Sequence, residues 1–401
     1  MRLNAILGLT ILSTSLAAWS AACSSDDSTP ATPAGTDAST SDVTTTPSDS
    51  GGGTTDTGTT ADTGTDANEV FNCDDAGIDA PQSLKCTGLY SSFTNKTIAA
   101  GVKEYAPAVK LWSDGAQKTR WVYLPPGEKI DTTDMDEWKY PVGTKFWKEF
   151  VVDGKRVETR FFWKVSSSIW TRTTYKWNAA QDDAIRLDSG EWGGALDAGP
   201  DGGPGDAAAY EIPSVAKCDQ CHNGRIDKIL GFEAVGLGLP GATGVTLASL
   251  VSDSLLTTNP PATTLAIPED STGKAAAAIG YLHANCGTAC HNTSPAHTCP
   301  VNMVLRLGYA DLHPTDGGTA TVANLATYTS TVGVNAGTVG LSPDGGTYKR
   351  IAPHDVTGSA ISYLAGRREG YIPNKQMPPI DTHVVDTVGV GQINDWVNAL
   401  P

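Results

Sequence analysis

The pattern of apolar and polar positions changes character several times along the chain. Residues 5–19 are a nearly continuous apolar run. From residue 24 to 68 the sequence is dominated by Ser, Thr, Asp, Gly, Ala and Pro, with no aromatic, Lys or Arg residue. Such a stretch cannot bury enough apolar surface to offset the entropy of ordering it, so a disordered tether is predicted over 23–69. Lys145–Val152 and Lys155–Val165 are β-rich runs joined by Asp153-Gly154, the strongest two-residue hairpin signal. Ile169, Thr171, Thr173, Tyr175 and Trp177 alternate as one face of a half-buried strand should. Eight of the ten tryptophans lie between Tyr105 and Trp192. Aromatics in strands are read as core and cross-strand pairs rather than as an exposed platform. A second low-complexity stretch, 193–209, reads as a loop. Beyond it, Lys274–Asn285 is rich in helix formers, and residues 392–400 put Ile393, Trp396, Val397 and Leu400 on one helical face. The predicted fold class is multidomain α+β. An antiparallel β-rich domain, sandwich or barrel-like, spans 70–192, and mainly α regions follow at 210–273 and 274–401.

Charge narrows the partners. The 401 residues carry 28 Lys and Arg against 44 Asp and Glu, a formal net charge of -16. Clustered cations to neutralise phosphates are not supplied, so nucleic acid is excluded as a partner. The tether holds eight of the Asp residues, so about half of the net charge belongs to it. Residues 1–22 resemble a bacterial lipoprotein signal, which implies that Cys23 is lipidated; a cleaved signal followed by an incidental cysteine is the other reading. Either predicts export to a compartment where disulfides form. There Cys73 and Cys86, an isolated pair with no histidine beside them, are expected to form a bridge.

Two cysteine-histidine motifs carry the candidate chemistry. Cys218-Asp-Gln-Cys221-His222 is C-x-x-C-H, the attachment sequence of c-type haem. Two thiols about one helical turn apart reach the two vinyl groups of one porphyrin, and the next imidazole falls under the iron. A C-x-x-C redox pair or half of a zinc site has the same cysteines, but neither accounts for His222. Cys286-Gly-Thr-Ala-Cys290-His291 is the longer C-x-x-x-C-H variant, with Ala289 as an extra residue. A Cys286–Cys290 or Cys290–Cys299 disulfide would use the same residues, and Cys299 is otherwise left over. Met377, in Lys375-Gln-Met377-Pro378-Pro379, offers a thioether in a loop stiffened by two prolines, or packs there as an ordinary side chain.

Helix, C-H motif, Met-Pro-Pro loop and closing amphipathic helix, in that order, resemble a class I cytochrome c. More widely, residues 90–401 are similar to secreted bacterial dihaem c-type cytochromes with an N-terminal β-rich domain. The strings that carry this are Leu111-Trp-Ser-Asp-Gly115, Tyr140-Pro-Val-Gly-Thr144, Tyr210-Glu-Ile-Pro-Ser214 and Tyr281-Leu-His-Ala-Asn285. The resemblance implies two covalent haems per chain, one on Cys218, Cys221 and His222 and one on Cys286, Cys290 and His291 with distal Met377. No motif marks a distal ligand for the first; His283, Met303, His313 and His354 are candidates. The expected role is electron transfer between periplasmic or envelope redox partners by a lipid-anchored protein facing the periplasm or exposed at the outer membrane. A dihaem peroxidase-like enzyme with an open first iron, and a surface lipoprotein whose β domain is the binding module, are the alternatives.

Overall fold

The computed structural model describes residues 69–73, 77–192, 210–296, 299, 302–337, 348–368 and 376–401. The signal segment, Cys23, nearly all of the tether and the 193–209 loop lie outside the described residues. Glu69, placed by sequence in the tether, is hydrogen-bonded: its carboxylate accepts from the Phe93 N–H at 2.8 Å and the Thr94 N–H at 3.1 Å. The expected Cys73–Cys86 disulfide is present.

A short hairpin of β1 (Tyr90–Ser92) and β2 (Thr97–Ile98) precedes the main sheet. That sheet is built from β3 (Val102–Ala106), β4 (Gln117–Tyr123), β5 (Lys145–Val152), β6 (Lys155–Lys164), β7 (Trp170–Trp177) and β8 (Ala184–Arg186), each antiparallel to the next. A two-stranded ribbon of β9 (Glu191–Trp192) and β10 (Glu211–Ile212) follows, and β11 (Thr243–Gly244) pairs with β3 to complete seven strands. The hairpin turn falls where the sequence puts it, with Asp153 at φ 48° and Gly154 at φ 74°, the left-handed pair that a two-residue turn of matching twist needs. The seven strands form one open sheet with β11 and β8 at its edges, not the expected sandwich or barrel. Helices and loops take the place of a second sheet.

Pleating separates two buried faces. On one, Trp121, Trp147, Phe161, Tyr175 and Trp177 pack on Leu84, Leu89, Tyr90 and Phe93. On the other, Val122, Phe146, Phe162 and Trp170 join a core that continues through Phe232, Leu237, Ile279 and Leu282 to Trp396. Trp121, Trp138, Trp147, Trp170 and Trp177 are all core, as the aromatic pattern suggests. Ile169, expected on the buried face of β7, is half-exposed; it lies in the turn before the strand, where its carbonyl accepts the Val165 N–H.

The helices are α1 (Val215–His222), α2 (Ala234–Gly238), α3 (Leu247–Ser252), α4 (Ala275–Leu282), α5 (Tyr309–Leu312), α6 (Ala326–Thr329), α7 (Ala360–Ala365) and α8 (Thr387–Ala399). α4 lies within the helix expected at 274–285 and passes into a π-helical turn over His283–Gly287. α8 starts five residues before the predicted segment, where the Asp386 side chain caps the Gly389 N–H. Its expected face is fully buried, and Trp396 donates to Asp270 at 2.9 Å. Trp396→Ala should therefore cost about 3–5 kcal/mol. Urea denaturation measures it; a loss below 1 kcal/mol would mean that α8 does not close this core.

Candidate functional site

Helix α1 holds the first motif. Ser214 caps it by accepting the Lys217 N–H at 3.3 Å. Asp219 forms an ion pair with Arg172 of β7, which fastens the helix to the sheet. On the other side, Lys217 pairs with Glu211, and Glu211 meets His383 Nε2 at 2.7 Å, so α1 is also tied to the segment after Met377. At the end of the helix His222 donates from Nδ1 to the Lys228 carbonyl at 2.5 Å, and its ring lies 4.5 Å from that of Phe162. Burial pulls its pKa down to about 4. At neutral pH the imidazole is uncharged, with its proton on Nδ1 and the Nε2 lone pair left for a metal. A backbone carbonyl on Nδ1 is the arrangement that fixes the tautomer of a ligating histidine. Burial also pushes the Cys218 thiol up to about 11.

Cys218, Cys221 and His222 all line one cavity of about 570 Å³. Its walls are the β4–β6 face of the sheet, α1, the 109–114 loop, segment 283–290 and the 378–382 loop. Phe146, Phe162, Leu111, Ile229 and Leu230 make much of it apolar. This is the size and character of a site for a cofactor of porphyrin dimensions. The residues fit that group: two thiols and a neutral, oriented imidazole open onto one cavity. Among the described residues no three His, Cys, Asp or Glu side chains gather around a bare metal ion. A porphyrin brings four nitrogens of its own.

The second motif is placed differently. Cys290 lines the same cavity, and Cys221 is hydrogen-bonded to it, which holds the Cys221 pKa below the ordinary thiol value despite burial. The two motifs touch elsewhere too: a Cβ on Gly224 would come within 1.9 Å of the carbonyl oxygen of Ala289, the extra residue of the longer motif. Cys286 instead packs half-buried on the main core, with its thiol pushed up to about 12 by burial. His291 is buried, its Nδ1 3.8 Å from Cys299 Sγ, and its carbonyl accepts the Leu305 and Arg306 N–H groups. Cys286, Cys290 and Cys299 are not disulfide-bonded, so neither alternative disulfide is formed. Met377 donates its N–H to Leu364 O at 3.0 Å; it is Pro378 and Pro379 that line the cavity. Cys286, His291 and Met377 are thus not brought to the space that Cys290 enters. Residues 369–375, leading into Met377, lie outside the described residues.

Of the distal candidates for the first site, His283 lines the cavity. Its Nδ1 accepts the Leu307 N–H at 3.0 Å, so in the neutral ring the proton sits on Nε2, 3.6 Å from Glu233 Oε1. Met303 packs against the main core, His354 is exposed with Nδ1 on Asn398 O at 3.0 Å, and His313 lies against Tyr309. The string Leu111–Gly115 links the two ends of the site. The Trp112 N–H donates to Asn285 Oδ1 at 2.6 Å, its indole to Val384 O at 2.9 Å, and Asp114 accepts the His383 N–H at 2.8 Å.

Sequence reasoning missed two charged groups. Glu233 accepts from Arg225 at 2.9 Å and Arg306 at 2.8 Å, all three buried. Burial raises the Glu233 pKa, but the two guanidiniums outweigh it and hold the carboxyl well below its usual range. Nothing in the sequence links 225, 233 and 306. The other group is a row of cations across the sheet, Arg120 opposite Lys148 opposite Arg160. All three line the cavity.

No family model, curated protein or solved structure matches this chain.

Glu233→Gln would leave the two buried guanidiniums only the longer ion pairs to Glu137, at 3.3 and 3.6 Å, and should cost about 3 kcal/mol; a neutral effect on urea denaturation would contradict the network. His283, its pKa drawn down to about 4 by burial, folds uncharged. Its ordinary value is about 6.5, so the stability it contributes is complete above that pH and is lost as pH falls towards 4. His283→Gln should flatten the stability profile across this window, and an unchanged slope would contradict the assignment.

Proposed function

We propose that this protein is an exported, lipid-tethered c-type cytochrome that passes electrons between redox partners of the bacterial envelope. The observation that carries this reading is the gathering of Cys218, Cys221 and His222 around one largely apolar cavity. Bound there, a haem would supply an iron that cycles between ferrous and ferric states. Cys218 and Cys221 would hold it by thioether bonds, and His222 would offer Nε2 while Lys228 O fixes its ring. Phe162 and Phe146 keep water from that side, which lowers the reorganisation that accompanies a change of charge.

A second haem on Cys286, Cys290 and His291, with Met377 as distal ligand, is the remainder of the proposal. Its support is the motif itself and the helix α4 running into it. In this reading α4, the motif, the Met-Pro-Pro loop and α8 form the part that resembles a class I cytochrome c, and Cys23 is its lipid anchor. One observation favours a second reading, an enzyme acting on peroxide. His283, the other imidazole of the cavity among the described residues, accepts the Leu307 N–H on Nδ1 and so carries its proton on Nε2, which leaves it no lone pair to offer an iron. A ferric spectrum with only low-spin, six-coordinate iron would argue against that enzyme.

Pyridine haemochrome measured on the full chain, made with the c-type maturation system, should give two haems per chain. Cys218→Ala/Cys221→Ala should remove one and Cys286→Ala/Cys290→Ala the other. A single haem lost only with the first pair would remove the second site, and no haem would end the proposal.

A further inference from the structure

The cavity has one wall that the attachment chemistry does not use. On the face of the sheet turned towards it, Arg120 of β4, Lys148 of β5 and Arg160 of β6 stand directly opposite one another. Like charges at opposed positions repel across a strand spacing of about 5 Å, so such a row is destabilising by itself. Lys118, two residues from Arg120, adds a fourth cation on the same face and donates to Leu111 O at 2.5 Å.

Counter-charge on the wall is short. Glu158 pairs with Arg160 through three hydrogen bonds of 2.6–3.1 Å and also accepts from Tyr210. No ion pair joins Arg120 or Lys148 to an acid among the described residues. Arg120 is only 4% exposed, and its Nη1 is buried without a hydrogen-bond partner. The ammonium of Lys148 lies over the Phe150 ring at 5.0 Å. Burial depresses the pKa of both, and for Lys148 the neighbouring Arg120 adds to it. A buried guanidinium left unpaired costs several kcal/mol, so its presence in a cavity points to an anion that completes it.

We infer that Arg120 and Lys148 seat the anionic edge of the cavity's occupant, the two propionate carboxylates of the haem held by Cys218 and Cys221. This rests on the functional reading above. It makes the β-sheet part of the cofactor site: α1 supplies the covalent bonds and the axial imidazole, and the sheet supplies the charges that neutralise the carboxylates. A free carboxylate from solution has the same chemistry, and the test separates the two sources.

The test uses the full-length holoprotein, titrated spectroelectrochemically. Cys218→Ala/Cys221→Ala identifies which reduction step belongs to the first haem. Removing a cation near the iron favours the ferric state. Arg120→Gln and Lys148→Gln should therefore each lower the reduced-to-oxidised ratio of that haem at a fixed potential by at least about threefold. Arg120→Lys and Lys148→Arg should restore most of it, and Lys103→Gln, an exposed residue paired with Asp253, should change nothing. Lys148 is only half-buried, so its variants remain informative if Arg120→Gln fails to fold. Added acetate should leave the native protein unaltered, because the propionates already fill the row. Haem present with unchanged potentials in both Gln variants overturns this inference alone, as does a saturable acetate effect on the native protein. Absence of the first haem from the native protein overturns the functional reading beneath it.

Discussion

Attachment of α1 to the face of the sheet that carries Arg172 and Phe162 is the contact on which the rest of the structure depends. Arg172 on β7 holds Asp219 in the middle of the motif, and Phe162 lies against the ring of His222. These contacts fix the direction in which Cys218 and Cys221 point and leave the cavity between helix and sheet. The same sheet face continues into the core that ends at Trp396, so the helical part and the strands are stabilised by one body of buried apolar surface. A short helix of eight residues would be marginal alone; here the ion pairs of Asp219 and Lys217 and the Ser214 cap supply what its length does not.

Electrostatics inside this body are of two kinds. Glu233 with Arg225 and Arg306 is closed on itself, since each charge meets an opposite one at hydrogen-bonding distance, and its work is to hold the segments around His283 together. The Arg120–Lys148 row is open, facing the cavity with no ion pair to an acid among the described residues. Desolvated charges of the first kind are structural. Those of the second kind are intelligible only with an anionic partner, which is why the sheet belongs to the site.

Much of the fold was legible where one local rule decides it. Asp153-Gly154 fixed the hairpin, the apolar spacing of α8 fixed its buried face, and two cysteines with an adjacent histidine marked the cavity. The cation row was not legible, although all its residues are visible in the sequence. Counting back from the two-residue turn pairs Lys148 with Thr159. An irregularity between Phe150 and Val151 shifts the register by one, so that Lys148 faces Arg160. A one-residue slip exchanges the two faces of a strand, and nothing local announces it. The Glu233 network is invisible for a related reason, because its members are joined only by tertiary packing. The open sheet, in place of a sandwich or barrel, follows from helices that cover the face a second sheet would have covered.

The central claim is that Cys218 and Cys221 carry a haem in this cavity. Trypsin should release residues 218–225 as one peptide, between Lys217 and Arg225. Mass spectrometry of the mature protein should find that peptide increased by the mass of one haem, with no free thiol on either cysteine. The same peptide recovered unmodified, or closed by a Cys218–Cys221 disulfide, would contradict the account.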